Sequence, residues 1–351
     1  MPKTAVVILN WNGIDYLREF LPSLVRYTAI PGVELVVADN GSSDQSVEFL
    51  AAEYPKIKVL KFDKNYGFAG GYNKALEQLE ADYFMVLNSD IEVSDKWLEP
   101  LITLMEQQPK LAACSPLLLD YNNKESYEYA GAAGGYVDKY GYTFCRGRIF
   151  DKNEKIQTAY NKPVEVFWTT GACMLVRSEL FKKAGGFDEH FFAHMEEVDL
   201  CWRWKNMGYQ LCVLPTSRVY HVGGGTLPKS NPFKTYLNFR NNLFLLYKNL
   251  PENKIAKVLF TRRLMDLLSA VRFLASFSFR DIGAIYRAHR HFDKKKNDYK
   301  VFRQVQSQHI LKFEHEEIYK HSIVMDYFLL GRKRFSQLRG DFANKFINFE
   351  D

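Results

Sequence analysis

Residues 4–44 read TAVVILNWNGIDYLREFLPSLVRYTAIPGVELVVADNGSSD, and the order of patterns in this stretch decides the fold. Thr4 to Leu9 is an unbroken β-branched and apolar run, as a strand buried on both faces requires. Leu17, Phe20, Leu21 and Leu24 then recur at helical spacing, and Glu34 to Ala38 returns to strand character ahead of a Gly-Ser turn. Strand, crossover helix and second strand in that order predict a parallel sheet.

Outward from this unit the alternation continues. Strands are predicted at Ile57 to Lys61, Tyr83 to Leu87 and Leu111 to Ser115, with helical stripes at Val47, Leu50 and Ala51 and at Leu76 and Leu79. The first 115 residues therefore read as an open α/β layer. In such sheets the ligand crevice lies at the carboxyl ends of the strands. That places weight on Asn10 and Asn12, on Asp39 and Asn40, and on Asn88, Ser89 and Asp90. Between Asn65 and Asn73 the segment NYGFAGGYN opens a helix with three glycines, Gly67 first, which allow close backbone approach to a ligand. It matches neither GxGxxG nor a Walker loop.

Residues 120–163 lose all helical period and are rich in Tyr, Gly, Asn and Lys, so an irregular or hairpin insertion is expected. Strands are predicted again at Val164 to Trp168, Cys173 to Val176, Gln210 to Leu214 and Arg218 to Val222, with helices at Ser178 to Ala184 and Glu196 to Met207. From Phe233 onward the chain reads as mostly helical. Two regions follow: a catalytic-looking 1–228, divided near residue 115, and a basic, mostly helical 229–351.

The net charge of +6 on 351 residues hides a split. Residues 1–228 carry 23 Lys and Arg against 29 Asp and Glu, while residues 229–351 carry 24 against 12. A basic, aromatic tail behind an acidic front fits attraction to an anionic membrane surface and favours that partner over nucleic acid. The apolar stripe Leu264, Leu267, Leu268 and Val271 has a plainer alternative, packing on the catalytic region or on another subunit of a homo-oligomer. The five cysteines are scattered without a CxxC pair, which suits a reducing compartment. The apolar run before Asn10 is too short for a signal-peptide core, and Arg262, Arg263, Asp266 and Arg272 interrupt the best candidate span. A cytoplasmic protein, peripheral at the inner face of the cell membrane, is expected.

Chemistry concentrates in two places. Asp39 ends a strand where its carboxylate can accept from a nucleobase imide or a ribose hydroxyl, although Asp39 to Ser43 also reads as a turn that caps the next helix. Asp90 directly follows an apolar strand; a hard divalent cation needs only one or two protein carboxylates when substrate phosphates and water complete its shell. Farther on, DEHFFAHMEEVDLCWRWKNMGY at 188–209 gathers Glu189, Glu196, Glu197 and Asp199 at the start of a helix, more carboxylates than the helix dipole explains. Glu196, Asp199 and Arg203 fall on one face, with Glu197 rotated away. One of these carboxylates, placed within hydrogen-bond reach, can deprotonate a hydroxyl. His221 stands at a strand end beside Gly223 to Gly225, where it can serve as a metal ligand.

Taken in order, VVILNWNG at 6–13, VADNGSSD at 37–44, NYGFAGGYN at 65–73, LNSD at 87–90, TGACMLVR at 170–177, GGFDEHFFAHMEEVDLCWR at 185–203 and YHVGGGT at 220–226 resemble the inverting family 2 glycosyltransferases, particularly their bacterial rhamnosyltransferase-like branch. The resemblance covers roughly residues 4–247. It implies a GT-A fold, a Rossmann-like open mixed sheet flanked by helices, here with a C-terminal helical extension. It further implies a nucleoside diphosphate sugar donor, a glycan or lipid-linked acceptor, and Mg2+ or Mn2+ as cofactor. Asp39 would contact the nucleobase, Asp90 would be the surviving carboxylate of the DxD motif whose first position is Asn88 here, and His221 would be the second metal ligand. Glu197 matches the position of the catalytic base, with Glu where Asp is more usual, and Glu196 or Asp199 could act instead. Trp168, Thr170 and Gly171 match the acceptor segment. The glycines after His221 would belong to a closing loop.

Two other functions compete. A nucleotidyltransferase should show a basic glycine-rich loop after the first strand, where NWNG stands. A catalytically inactive membrane-surface scaffold or sugar-binding protein would need none of these carboxylates.

Overall fold

The computed structural model describes residues 2–129, 131–156, 160–223, 231–340, 342 and 345–349. The region up to residue 115 follows the expected alternation: β1 (Thr4–Asn10), α1 (Ile14–Tyr27), β2 (Val33–Asp39), α2 (Ser46–Glu53), β3 (Lys58–Lys61), α3 (Gly67–Glu77), β4 (Tyr83–Asn88), β5 (Ile91–Val93), α4 (Glu99–Gln107) and β6 (Leu111–Asp120). The insertion forms β7 (Gly135–Asp138), β8 (Thr143–Cys145), β9 (Arg148–Ile149) and β10 (Lys152–Asn153). Then come β11 (Val164–Glu165), β12 (Cys173–Arg177), α5 (Ser178–Lys183), α6 (Glu196–Asn206) and β13 (Gln210–His221). The C-terminal part holds α7 (Pro232–Asn249), α8 (Glu252–Ala275), α9 (Phe279–Lys295), α10 (Tyr299–Ser307), β14 (Ile318–Tyr319) and α11 (Ile323–Phe328).

The main sheet runs β11-β13-β6-β12-β4-β1-β2-β3, with β5 on β13. β1 to β4 are mutually parallel, while β12 runs antiparallel to both β4 and β6, so the sheet is mixed. Because strand side chains alternate faces, Val6 and Ile8 pack with Leu17, Leu21, Leu101 and Met105 on one side, and Ala5 and Val7 with Tyr72, Leu76, Phe181 and Val198 on the other. The parallel register sets Asn10 opposite Asp39 and Leu9 opposite Asn88, which gathers three strand ends in one crevice.

Three local expectations change. The two strands predicted at 210–214 and 218–222 are one, β13, irregular between Leu214 and Arg218. The strand predicted at Val164 to Trp168 keeps only Val164–Glu165 as β11, because Trp168 leaves the main sheet to bridge Gly135. The insertion is a meander, β10-β9-β8-β7, completed by β14 from far down the chain, parallel to β7.

That last pairing shows that the basic region is built into the body. α7 buries Leu237, Leu243, Leu245 and Leu246, and Lys248 is wholly enclosed between Asp188 (2.6 Å) and Asp199 (2.8 Å). Its ammonium bridges two buried carboxylates, of which Asp199 also pairs with the buried Arg203 (2.9 Å), so the enclosed charges compensate one another. All five cysteines are buried and free.

Candidate active site

Asp90 and His221, far apart in sequence, meet because β5 pairs with the end of β13. His221 lies opposite Ile91, and the Val222 amide donates to the Asp90 carbonyl (3.1 Å). The imidazole Nε2 is 3.1 Å from Asp90 Oδ1, and Nδ1 is 3.2 Å from Glu128 Oε1 on its other side. Burial alone would push the His221 pKa down, but Glu128 and Asp90 override it and raise it to about 10. Burial works against the Asp90 carboxylate as well, yet the facing imidazolium holds it below the usual range. Glu128 is a residue that the sequence reading missed. It sits in the aperiodic insertion, and an added Cβ on Gly223 would stand 2.9 Å from its carboxylate. Glu92 turns away to Lys124 (2.6 Å). Residues 224–226, with the expected closing loop, lie outside the described residues.

The acidic run divides sharply. Asp199 is fully buried, and its oxygens accept from Arg203 (2.9 Å), Lys248 (2.8 Å) and Asn249 (2.9 Å). Enclosed with three donors and no exposed surface, it is out of reach of a substrate hydroxyl, and its expected role as an alternative base gives way to a structural one. Glu189 accepts from Asn73 (3.2 Å) at the rim. Glu196 and Glu197 each keep one buried oxygen, Oε2, without a hydrogen-bond partner. Burial first, and then the neighbouring Glu197 charge, raises Glu196 well above the carboxylate range. Glu197 is pushed by burial up to about 7, against backbone amides at the helix start that favour its charged form. It is partly open, while Glu196 is buried. Gly171 lies beside it: an added Cβ would be 2.9 Å from Phe68 and 3.4 Å from the Glu197 Cβ.

The loop entering α6 is strained. Phe192, His194 and Met195 all have left-handed φ angles of 64°, 70° and 73°, rare for bulky side chains and concentrated at functional sites. Two residues of α7 hold it there. Arg240 donates to the carbonyls of His190 (2.7 Å) and Phe191 (3.0 Å), and Asn241 donates to those of Phe191, Ala193 and His194 (3.0, 2.9 and 2.7 Å). The loop then meets the glycine segment. Phe192 O accepts from the Phe68 amide (2.8 Å), and a Cβ on Gly67, at φ +73°, would collide with the Phe192 ring at 2.6 Å.

At the nucleotide-side crevice, Asp39 accepts from Asn10 (3.1 Å) and from the Ser42 amide (3.0 Å), so the turn and the site share one carboxylate. Asn12 accepts from the Ser43 amide (2.7 Å), and Asn65 accepts from Asn40 (3.0 Å) and the Gly67 amide (2.7 Å). Asn73 clasps both backbone groups of Phe187 (2.8 and 2.9 Å). The side-chain oxygens of Asn12 and Asn65, and both ends of the Asn73 amide, thus shape loops of the crevice. The Asn88 amide ties the strand end to Ala172 (2.9 Å), and Ser89 Oγ lies by Gly13. Thr170 Oγ1 accepts from the Ala172 amide (3.2 Å). Trp168, expected near an acceptor, is a core residue: its indole donates to Tyr136 O (2.9 Å), and its ring fills the space a Cβ on Gly135 would take.

Against this geometry, the family described as Glycosyl transferase family 2 matches residues 5–185. An N-acetylglucosaminyl-diphospho-decaprenol L-rhamnosyltransferase of Mycobacterium tuberculosis is 29% identical over 233 residues, 62% of this chain and 75% of that protein. The low-salt glycan biosynthesis hexosyltransferase Agl10 of Haloferax volcanii is 24% identical over 264 residues, 73% of this chain and 79% of that protein. Among solved structures, GalNAc-T7 with UDP, GalNAc and Mn2+ superposes with a TM-score of 0.55 at 18% identity, covering 72% of this chain and 49% of that one. The mannosyltransferase PcManGT of Pyrobaculum calidifontis, in complex with GDP-Man and Mn2+, gives 0.51 at 14%, covering 88% and 84%. At such identities the likeness is one of fold.

Proposed function

Because the chain belongs to glycosyl transferase family 2, we propose that it inverts the anomeric carbon of a nucleoside diphosphate sugar, dTDP-rhamnose or a UDP-sugar, in transferring it to a glycan or lipid-linked acceptor of cell-surface polysaccharide synthesis. The observation that carries this reading is Glu197: a carboxyl group beside Gly171 on a half-buried residue, with one buried, unpartnered oxygen and a pKa raised to about 7. A base with a pKa near working pH combines a deprotonated population with real affinity for the proton. Its carboxylate accepts the proton of the acceptor hydroxyl as that oxygen attacks in line with the departing diphosphate. Glu196 stays protonated beneath it and so does not compete for the hydroxyl. Asp199, Lys248, Arg240 and Asn241 hold the strained loop that presents the base. In this reading Asp39 takes the nucleobase and the backbone around Gly67 lies against the donor, which the crevice formed by the ends of β1, β2 and β4 supports.

Asp90 and His221 suit a divalent cation, Mg2+ or Mn2+. With Glu128 holding the Nδ1 proton, loss of the Nε2 proton as a cation binds would leave an Nε2 lone pair and an Asp90 oxygen as its donors, in a buried cluster that then carries two carboxylates. Substrate phosphate and water would complete the shell. When bound, the cation would neutralise charge on the departing diphosphate. Glu128 orients the imidazole through Nδ1, so Glu128→Gln should weaken Mn2+ binding by about 10–100-fold, read by calorimetry without donor or acceptor. Unchanged affinity would remove Glu128 from the site.

The pH dependence of kcat/KM tests the base. Glu197 works deprotonated, so the rate should fall about tenfold per unit below its pKa, with the acid limb near 7. A limb at an ordinary carboxylate value would assign the proton transfer elsewhere. We place the reaction at the cytoplasmic face of the cell membrane.

A further inference from the structure

We propose that the α8–α9 hairpin is a docking surface for an anionic phospholipid bilayer, its apolar stripe entering the lipid and its cations meeting the headgroup phosphates. The proposal rests on the reading of a lipid-linked acceptor for its purpose but uses no residue of the active site.

α8 is amphipathic in the wrong sense for a helix on a globular body. The face it turns inward carries Ile255 and the buried pair Arg262–Asp266 (2.7 Å), with the guanidinium 3.8 Å over the Tyr142 ring and Asp266 also meeting His289 (3.1 Å). The face it turns outward carries Phe260, Leu264, Leu267, Leu268, Val271 and Leu274, spaced so that they form one stripe. Leu267 is 61% exposed and Leu268 69%. The stripe ends at the hairpin tip, where Phe277, 80% exposed, and Phe279, 62% exposed, lie 6.4 Å apart. Phe277 has φ +57°, in a turn closed by the amides of Ser276, Phe277 and Ser278. Arg272 extends the patch by lying 4.9 Å over Phe328, next to the exposed Leu329 and Leu330. A contiguous apolar surface of this kind marks an interaction site.

Charge identifies the occupant. Arg263 and Arg272 stand on the two margins of the stripe, and Arg280, Arg287, Arg290 and Lys294 follow along the outer side of α9. Arg287, Arg290 and Lys294 have no carboxylate partner among the described residues. From residue 253 to 295 the carboxylates outside the core are Asp281 and Asp293, already bonded to Thr235 (2.6 Å) and to Arg263 (2.7 Å) and Lys296 (3.3 Å). A second copy meeting this face about a two-fold axis would set these cations against themselves. Nucleic acid would leave the leucines in water. An anionic bilayer satisfies both halves, and among the described residues no helix is long and apolar enough to cross one, which suits a hairpin lying on the surface.

The test is co-sedimentation of the full chain with phosphatidylcholine vesicles, with and without phosphatidylglycerol. The wild type should bind those containing phosphatidylglycerol, less so as salt rises. Leu267→Asp/Leu268→Asp should lower the partition at least about tenfold at low and high salt alike, and Arg287→Glu/Arg290→Glu should abolish the preference for phosphatidylglycerol, both at unchanged thermal midpoint. No binding by the wild type, or wild-type binding by the aspartate variant, would overturn the proposal. So would a wild-type dimer that the aspartate variant converts to monomer, which would give the stripe to a second copy. Donor turnover without vesicles separates the two readings: lost binding with intact turnover removes the surface alone, and intact binding without turnover removes only the transferase.

Discussion

Glu197→Gln should lower kcat by about 10²–10⁴-fold, the usual contribution of a positioned general base, and should make the folded protein more stable at pH 8. The second effect separates lost chemistry from misfolding. Burial raises the Glu197 carboxyl from the ordinary 4.5 to about 7 in the fold, so the native state keeps a proton that the unfolded chain releases. The stability this confers is fully present below the unfolded pKa and is lost as pH rises through 7. At pH 8 the wild type therefore bears a buried charge that glutamine lacks, a difference on the order of 2 kcal/mol in urea unfolding. Activity lost together with stability would mean instead that the substitution disrupts the loop. Glu196→Gln is the internal control: Glu196 is held protonated already, so glutamine imitates its working state and should leave most of the rate.

Asp90→Asn should abolish productive donor binding. It keeps the size and a hydrogen-bonding group facing His221, and Glu128 still holds the other ring nitrogen, so the fold should survive with a loss of about 1–3 kcal/mol. What disappears is the anionic oxygen of the cation site. Mn2+ affinity should fall at least about 100-fold by calorimetry, and transfer should fall with it, since the charge on the leaving diphosphate is worth several kcal/mol to neutralise. Wild-type Mn2+ affinity in this variant would remove Asp90 from the metal site.

The frame of the site was legible because its residues sit where local pattern meets topology. Asn10, Asp39 and Asp90 each follow an apolar run, and parallel strands must bring such ends to one crevice. What pattern could not reveal was long-range pairing. Glu128 lies in an aperiodic insertion, and nothing local announces that β5, three residues long, will carry Asp90 to His221. Asp199 read as a spare base because its helix face is visible in sequence, whereas Lys248 and Asn249, which occupy it, arrive from the far end of α7, beyond the whole of β13. Arg240 and Asn241 were hidden in a region set apart by charge, although they brace the catalytic loop. Trp168 read as an acceptor contact because it falls in the segment that resembles the family's acceptor side; the glycine opposite it, Gly135, shows that its ring belongs to the core. The outward stripe of α8 was visible as periodicity, but which side faced the body depended on the buried Arg262–Asp266 pair.

The most direct measurement is the release of nucleoside diphosphate from a panel of nucleotide sugars with Mn2+, run side by side on wild type and Glu197→Gln, with donor binding followed by thermal shift. The predicted result is one donor that stabilises both proteins in a metal-dependent way and is turned over by the wild type alone. Equal turnover by the two proteins, or no donor that binds with metal, would contradict the assignment of Glu197 as the base of a metal-dependent glycosyl transfer.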